Sequence, residues 1–410
     1  MQATRETTHK RMAQILVWSP NYAPELIGIP PLVTDAAEWL AERGHHVDVV
    51  TALPNYPQRR IFAGYGGKIW RSNLERGVGV HRSWLRVRPG ESFLDKTLYE
   101  ASFAALSAPR VVSLVRRADV LVCLVPTLMS AAAGALVARA THTRHVVWVQ
   151  DLVLAAARSV HGLGRVQDGA LNAMRSAESI ALRPAARVIT CSAGFGRYLT
   201  ETGVTPDRIE MIPNWVDTDR IAVAPEAAPD GEATFLYTGN VGYTQGFDTL
   251  LGATNLVGSG VKVRIVGGGN AVDTVRGRGG GAISVEPPVV RDGYATLLAS
   301  AHALVVVQRQ VAANANMPSK IASYLAAGRP IVASIGIDTP AADVLRASGA
   351  ALVVPPEDPA ALAAAMVSLR DDAELRRTLG ARGRAYAEAE LSRTRILPRL
   401  ERAIVGDATG

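Results

Sequence analysis

Residues 14–19 read Gln-Ile-Leu-Val-Trp-Ser, and residues 47–52 read Val-Asp-Val-Val-Thr-Ala. Both are short apolar runs, and such runs are typical of buried strands. Between them, Leu32–Arg43 carries apolar residues at helical spacing after a long loop. A strand, a helix and a second strand in this order predict two parallel strands joined by a crossover helix.

The same pattern recurs along the whole chain. In the first half it predicts helices Tyr99–Arg117, Ser130–Ala140 and Ala170–Leu182, and strands Val120–Val125, His145–Gln150 and Arg187–Cys191. In the second half it predicts strands Thr234–Thr238, Val261–Val266, Ala303–Val307 and Pro330–Ser334, and helices Phe247–Val257, Tyr294–Ala301 and Ser319–Ala327. The glycine-rich segment Arg276–Gly281 is predicted to be a mobile surface loop.

Two series of similar size are separated by Ala222–Gly231, which is rich in Ala, Pro and Gly. A chain of 410 residues is also long enough for two to three domains. We therefore predict an α/β protein with two Rossmann-like, doubly wound domains, residues 1–216 and 217–392, that face each other across a cleft. The C-terminal segment 393–410 is expected to pack back on the first domain. Ligands of such sheets bind at the carboxyl ends of the strands, so the cleft is the expected site.

The composition excludes several protein classes. Apolar residues make up 48% and charged residues 20% of the chain, as in globular proteins. Two cysteines, Cys123 and Cys191, exclude a disulfide framework and a zinc site with four cysteine ligands. None of the eight histidines stands out as a ligand or a catalytic base.

The net charge of +7 belongs to the first half of the chain. Residues 1–216 hold 25 Lys and Arg against 17 Asp and Glu, so their net charge is +8 and that of the remainder is −1. The excess concentrates between Arg59 and Arg117, where it is interleaved with aromatics such as Trp70 and Trp84. Such a surface suits an anionic membrane, and a solvated basic face is the equally weighted alternative. Nucleic acid is not expected, because no nucleic-acid-binding motif accompanies the charge.

One apolar stretch, Val120–Ala138, has the nominal length of a membrane span. Pro126, Ser130 and Gly134 interrupt it, so a buried strand, a turn and a small-residue helix are the favoured interpretation. The N-terminus is polar and mixed in charge, unlike a signal peptide. These features predict a cytoplasmic protein, at most associated with the inner face of the membrane.

The glycine-containing loops argue against one class of cofactor. A GxGxxG motif after the first strand would indicate a nicotinamide or flavin site, but Ser19–Tyr22 stands there. Gly28, just before the first helix, allows a close approach of backbone to a phosphate, and a plain turn glycine is the alternative. Gly239–Gly246 follows a strand and opens a helix, where backbone amides can cradle a diphosphate or simply form a tight turn.

The segment Gln308–Lys320 concentrates polar groups after a buried strand. Lys320 falls in the first turn of the following helix, where the helix dipole favours anions over cations. A cation in that place is easier to explain if it faces a bound anion, such as a nucleotide phosphate. A solvated lysine at a loop edge is the weaker alternative.

The chain resembles glycosyltransferase family 4 of GT-B fold, and within it the colanic-acid-type exopolysaccharide transferases. The resemblance covers nearly the whole chain and is carried by Asn21–Ile29, Ala37–Val47, Pro54–Pro57, Val125–Leu128, Val149–Asp151, Pro213–Trp215, Gly239–Gly242, Met317–Lys320 and Ala326–Pro330. It implies a nucleotide-diphosphate sugar donor of UDP or GDP type, transfer with retention at the anomeric carbon, and no metal and no tightly bound cofactor.

The resemblance also implies roles for particular residues. Lys320 and Arg309 would stabilise the leaving diphosphate, and Asp151 would orient or deprotonate the acceptor, unless it caps the following helix. The acceptor would enter past Tyr22, Glu25 and Tyr56. Donor contacts are expected from Gly28, Gly239, Asn240, Gly242, Thr244, Gly267, Gly268, Gln308, Asn314, Asn316, Met317, Pro318, Ser319 and Ser323.

Three departures from the family pattern qualify this prediction. Ala315 and Ser323 stand where the wider family has two glutamates, although the colanic-acid-type branch also lacks that pair. The loop Tyr243–Gln245 offers no cation to the diphosphate. Apolar residues follow Asp151, where the branch often has an acidic segment.

These features leave alternatives to a transferase that builds cell-surface polysaccharide on a lipid-linked or small-molecule hydroxyl acceptor. The same chemistry on a soluble natural product is one alternative. A second is a catalytically weak GT-B protein that binds a nucleotide sugar or a partner transferase. A third is a GT-B enzyme of different outcome, such as a nucleotide-sugar epimerase or a phosphorylase.

Overall fold

The computed structural model describes residues 12–88, 93–155, 165–224, 232–310 and 317–406. It contains two parallel-sheet units joined at residues 216 and 392, so the predicted fold class is confirmed. Asn314, Ala315 and Asn316, three positions singled out in the sequence, lie outside these ranges.

The first unit is a sheet of eight strands in the order β3-β4-β2-β1-β5-β6-β7-β8, parallel except for the β3–β4 pair. Its strands are β1 Gln14–Trp18, β2 His46–Ala52, β3 Trp70–Glu75, β4 Val78–Ser83, β5 Val120–Val125, β6 Arg144–Val149, β7 Arg187–Thr190 and β8 Ile209–Met211. Its helices are α1 Pro30–Glu42, α2 Phe93–Val115, α3 Leu128–Thr141, α4 Arg165–Leu182 and α5 Ala193–Glu201.

The second unit is a parallel sheet of six strands in the order β11-β10-β9-β12-β13-β14. Its strands are β9 Ala233–Asn240, β10 Val261–Gly268, β11 Ile283–Glu286, β12 Ala303–Val307, β13 Ile331–Ser334 and β14 Ala351–Val354. Helices α6 Phe247–Val257, α7 Val272–Arg278, α8 Tyr294–Ala299, α9 Lys320–Ala326, α10 Pro340–Ser348, α11 Pro359–Asp371, α12 Ala373–Tyr386 and α13 Arg393–Val405 complete the chain.

Each sheet is covered on both faces, which explains why its central strands are apolar throughout. In β1, Ile15 and Val17 pack into the core on one face, while Leu16 and Trp18 pack into the core on the other. The second sheet is likewise flanked by two cores. The carboxyl ends of the strands are therefore the parts of each sheet left open to a ligand.

The last helix returns to the first sheet. Residues of α13, including Ile396, Leu397 and Leu400, are buried in the same core as Ile15 and Val17 of β1. Glu401 of this helix also accepts a hydrogen bond from Arg43 and contacts the His45 imidazole, both at 3.0 Å. The chain thus passes from the first unit to the second and back again.

Helix starts in the second unit follow local capping rules. Thr339, Asp358 and Asp372 each accept a hydrogen bond from the backbone amide three residues later. In α10 and α11 a proline occupies the first helical position, where its missing N–H costs nothing. These caps fix where α10, α11 and α12 begin.

Two sequence predictions fail in detail. The segment Arg276–Gly281 was expected to be a loop, but α7 extends to Arg278 because Val275 is buried against the second sheet. The basic and aromatic segment near Trp70 was given no regular structure, yet it forms the β3–β4 hairpin. Arg82 of that hairpin is 2% exposed and pairs with Glu75, so it does not contribute to the basic surface.

The apolar stretch Val120–Ala138 divides as predicted into β5 and α3. Among the helices in the described ranges, none is both long and apolar enough to cross a bilayer.

Candidate functional site

A cavity of about 670 Å³ lies between the two sheets and is lined by residues of both units. From the first unit come the loop after β1, helix α1, and the ends of β5 and β6. From the second come the ends of β9 and β12, the segment before α8, and the start of α9. The carboxyl ends of the strands of both sheets therefore face one shared space.

Twelve of the residues singled out in the sequence line this cavity. They are Glu25, Gly28, Tyr56, Asp151, Gly239, Asn240, Gln308, Met317, Pro318, Ser319, Lys320 and Ser323. Six others do not line it, namely Tyr22, Gly242, Thr244, Gly267, Gly268 and Arg309.

The ends of β9 and β10 are too close together for side chains. A Cβ atom on Gly267 would lie 1.8 Å from the carbonyl oxygen of Gly239, and Gly239 itself has a φ of +111°. Both positions therefore require glycine, because any side chain would force the strands apart. Gly267 thus serves strand packing, and neither Gly267 nor Gly268, both predicted to contact the donor, lines the cavity.

In the loop after β9, the side chain of Gln245 bonds to the backbone of the loop itself. The backbone amide of Gly242 donates to Gln245 Oε1 at 3.0 Å, so this amide does not face the cavity. Thr244 is exposed, and its carbonyl oxygen accepts from the Arg309 amide at 3.1 Å. Of this loop, Gly239, Asn240 and Gln245 line the cavity. Fewer residues of Gly239–Gly246 are therefore placed to contact a diphosphate than the sequence predicted.

Lys320 brings a cation to the cavity wall. Its ammonium lies 3.4 Å from the centroid of the Tyr237 ring, where the aromatic face attracts a positive charge. Among the described residues no carboxylate pairs with it, and burial lowers the pKa of Lys320 well below its usual value. A cation in that state gains much from an incoming anion, because the anion would replace lost hydration.

Arg309 is directed away from the cavity. Its guanidinium donates to Asp248 at 2.6 Å, and Asp248 also pairs with Arg278. These charge-assisted bonds hold the pKa of the Asp248 carboxyl below its usual value, with the Arg278 hydrogen bond as the main cause. The predicted role of Arg309 on the leaving group is not supported by this geometry.

Asp151 lies at the end of β6 and lines the cavity from the first unit. Burial raises the pKa of its carboxyl from 3.8 to about 7. Among the described residues no hydrogen bond or ion pair reaches this carboxylate, which disfavours a helix-capping role. A carboxyl group that titrates near neutral pH, with free acceptor capacity, can take a proton from a hydroxyl.

Glu25 lines the cavity, and its carboxylate is also bonded to the loops that follow β1 and β2. Glu25 accepts backbone hydrogen bonds from Asn55 at 2.7 Å and Tyr56 at 2.8 Å, and a third bond from Asn21 at 2.9 Å. Tyr22 is 2% exposed and lies within the core. Of the three residues predicted to contact the acceptor, Glu25 and Tyr56 line the cavity and Tyr22 does not. The Tyr56 ring packs beside Gly28.

The wall near Ser323 is a chain of hydroxyl groups. Ser323 Oγ lies 3.2 Å from the Tyr294 hydroxyl, which lies 3.0 Å from Thr238 Oγ1. Ser323 also donates to the Lys320 carbonyl at 2.9 Å. Burial raises the pKa of Tyr294, so the phenol stays protonated and neutral. This wall therefore offers neutral hydrogen-bond donors and acceptors where the wider family has a carboxylate.

Family models match most of the chain. The model described as "Glycosyl transferase 4-like domain" matches residues 28–215, and the model described as "Glycosyl transferases group 1" matches residues 232–372. The putative colanic acid biosynthesis glycosyl transferase WcaI of Escherichia coli (strain K12) is 30% identical over 416 residues, which covers 97% of this chain and all of that protein. The chain belongs to the family 4 glycosyltransferases.

Solved structures agree with the GT-B fold. Sucrose-phosphate synthase from Thermosynechococcus elongatus superposes with a TM-score of 0.75 at 17% identity, covering 95% of this chain and 98% of that chain. Anabaena HepE in complex with UDP and glucose gives a TM-score of 0.69 at 15% identity, with the same coverage. These similarities establish the fold of this family 4 glycosyltransferase.

Several cavity residues of this glycosyltransferase were missed by sequence reasoning. Tyr237 and Tyr294 line the wall beside Lys320, but a lone tyrosine in a strand or short helix gives no sequence signal. Asp35 and Glu38 of α1 and Arg291 before α8 also line the cavity. These three residues were not singled out, because nothing in the sequence places α1 beside residue 291.

Proposed function

We propose that the protein transfers a sugar from a UDP- or GDP-sugar to a hydroxyl acceptor, with retention at the anomeric carbon and without a metal. The single observation that carries the proposal is the cavity itself. It places Lys320 of the second unit in the same space as Asp151 of the first, and within the described residues neither side chain has an ion-pair partner. One unit can hold an anionic donor while the other presents an acceptor.

The proposed donor half is the wall formed by Gly239, Asn240, Gln308 and residues 317–320. Glycine at the end of β9 leaves the approach to the Lys320 ammonium open, because a Cβ there would lie 3.5 Å from its Nζ. The diphosphate is proposed to bind at this point, with the sugar turned toward Asp151. Complexes of HepE with UDP and with UDP-glucose support this class of donor.

The proposed reaction breaks the bond between the anomeric carbon and the diphosphate oxygen, which leaves with the bonding electron pair. The acceptor oxygen forms the new bond to the anomeric carbon, and its proton passes to Asp151. Lys320 stabilises the charge that develops on the leaving oxygen, as fixed cations do in preorganised sites. Holding both reactants in one cavity supplies the proximity that the reaction needs.

The test is a calorimetric titration of the purified protein with UDP, GDP and dTDP. We expect one nucleotide to bind with a micromolar dissociation constant and with EDTA present. The matching nucleotide sugar should then be hydrolysed slowly, and the anomer first released, read by NMR, should keep the configuration of the donor. No binding of any of the three, or release of the inverted anomer, would contradict the proposal.

The proposed setting is cell-surface polysaccharide or glycoconjugate synthesis on a lipid-linked acceptor at the cytoplasmic face of the membrane. The similarity to a putative colanic acid transferase supports it. So do exposed apolar side chains next to exposed lysines: Ile69 and Trp70, exposed by 52% and 57%, follow Lys68, and Leu94, exposed by 64%, lies two residues before Lys96. Exposed apolar and aromatic groups among cations suit an anionic lipid surface.

We expect the protein to sediment with vesicles that contain anionic phosphatidylglycerol, and not with neutral phosphatidylcholine vesicles. Ile69→Asp should reduce the bound fraction about tenfold, because it places a charge in the contact. Leu136→Asp, at a 61% exposed position of α3, is the matched control and should bind like wild type. Equal loss in both variants, or no vesicle binding, would remove the membrane from the proposal and favour a soluble acceptor.

A further inference from the structure

The two chain crossings between the units meet at one carboxylate of α1. Residues 216 and 392 form a parallel bridge, in which the Val216 amide donates to the Leu391 carbonyl and the Arg393 amide donates to the Val216 carbonyl. Asp35, with 11% of its side chain exposed, accepts from Trp215 Nε1 at 2.7 Å. It also accepts from Arg393 Nε at 3.0 Å. We call the two connecting segments at residues 216 and 392 the hinge. Each of them is bonded to Asp35 of α1, through Trp215 and Arg393 respectively.

A second cation reaches Asp35 from the opposite side of the cleft. Arg291 belongs to the second unit, between β11 and α8. Its guanidinium lies 3.4 Å from Asp35 Oδ1 and 3.9 Å from Glu38 Oε2. Glu38 in turn pairs with Arg76 of the first unit at 3.3 Å. The Arg291 contacts thus cross the cavity, whereas those of Arg76 do not.

We propose that Arg291 is a positioning residue, whose ion pairs with Asp35 and Glu38 hold the donor wall and the acceptor wall of the cavity at reacting distance. Arg291 acts on the separation of the two units through α1 and the hinge. Its effect on rate rests on the proposed function, whereas its effect on the separation of the units does not.

The expected effect of losing the Arg291 ion pairs is modest because the Arg291 side chain is partly exposed. The Arg291 side chain is 42% exposed, and ion pairs at such sites contribute modestly and are weakened by salt. We therefore expect its loss to lower the ratio of closed to open molecules about three- to fivefold, which corresponds to about 0.7–1 kcal/mol. A change of this size alters the fraction of molecules that are closed and can react, while both units stay folded.

Single-molecule fluorescence energy transfer measures this ratio without a substrate. Dyes would be attached at Arg139→Cys in the first unit and Asp273→Cys in the second, both exposed positions. The native Cys123 and Cys191 are buried, so they should not compete for label. Arg291→Gln should shift molecules toward the open state by the factor given above, and 0.5 M NaCl should do the same to wild type.

Two further variants separate positioning from general damage. Arg346→Gln removes an exposed cation that pairs with Asp343 within one helix of the second unit, so it should behave like wild type. Arg291→Lys keeps the charge and should restore most of the closed population. An unchanged ratio in Arg291→Gln, or the same shift in Arg346→Gln, would overturn the proposal.

A titration with UDP distinguishes positioning from direct nucleotide contact. If Arg291 acts through the separation of the units, Arg291→Gln should change the dissociation constant of UDP less than threefold relative to wild type. A much larger loss of binding with an unchanged closed population would assign Arg291 to the nucleotide and overturn the inference. If wild type bound GDP and not UDP, the same titration would use GDP. Failure of wild type to bind either nucleotide would count against the proposed donor, while the energy-transfer ratio would still decide the role of Arg291.

Discussion

Lys320→Ala is expected to weaken nucleotide binding by about 100-fold and to abolish measurable hydrolysis of the nucleotide sugar. The ammonium is the cation that we place against the diphosphate, and a 100-fold loss corresponds to about 2.7 kcal/mol, within the range for a charge-assisted hydrogen bond. Hydrolysis should suffer further, because charge on the leaving oxygen grows toward the transition state. Calorimetry and a coupled assay for released nucleotide measure the two effects.

Lys262→Ala is the matched control for this prediction. Lys262 lies on β10 of the same unit and is exposed, so its removal changes the net charge equally without altering the cavity. It should bind nucleotide like wild type. Equal binding in Lys320→Ala and wild type would show that the diphosphate does not use this lysine, and the proposed donor wall would be wrong.

Asp151→Asn is expected to lower the rate of hydrolysis by about 10²- to 10⁴-fold with little change in nucleotide affinity. The wild-type rate should rise with pH through about 7, because the raised pKa keeps the carboxyl protonated and inactive as a base below that value. The variant has no such group, so its residual rate should not follow this profile. A wild-type profile without this rise would remove Asp151 as the base.

The same variant should stabilise the fold at high pH. An unfolded Asp carboxyl ionises near its usual pKa of 3.8, whereas burial holds the folded Asp151 carboxyl protonated up to about pH 7. The folded state binds the extra proton between these values, so stability falls as pH rises through this window. Asp151→Asn should therefore raise the free energy of unfolding at pH 8 by roughly 2–4 kcal/mol, and by less at pH 5.

Urea denaturation at the two pH values measures this difference. If Asp151 instead capped the following helix, its carboxylate would be stabilised by backbone amides and its removal would not stabilise the protein. A loss of stability at pH 8 would thus contradict the environment described for this carboxyl.

Much of the fold was predictable because its signals are local. A short apolar run rich in Val, such as 303–307, is typical of a covered strand, and Phe247–Val257 has the length and spacing of a helix. The β3–β4 hairpin was missed because its outer strand is exposed, so Trp70–Glu75 has no apolar alternation to reveal it. Strand β14, Ala351–Val354, is a short edge strand and gives an equally weak signal.

A site residue could be predicted from the sequence only where its residue type is unfavourable for the local structure in which it stands. Lys320 opposes the helix dipole, so its place at a ligand wall was inferred from sequence. Arg309, two residues past β12, carried no information about Asp248, 61 positions earlier, which binds its side chain. Arg291 was missed for the same reason, since its partners on α1 are more than 250 residues away.

The most direct test of the central claim is a crystal structure with the nucleotide that binds tightest in the titration. The account predicts the nucleotide in the cavity between the units, with its phosphates against Gly239 and within hydrogen-bond distance of Lys320 Nζ, and with Asp151 facing the terminal phosphate from the first unit. A nucleotide bound elsewhere on the protein, or phosphates remote from Lys320, would contradict it.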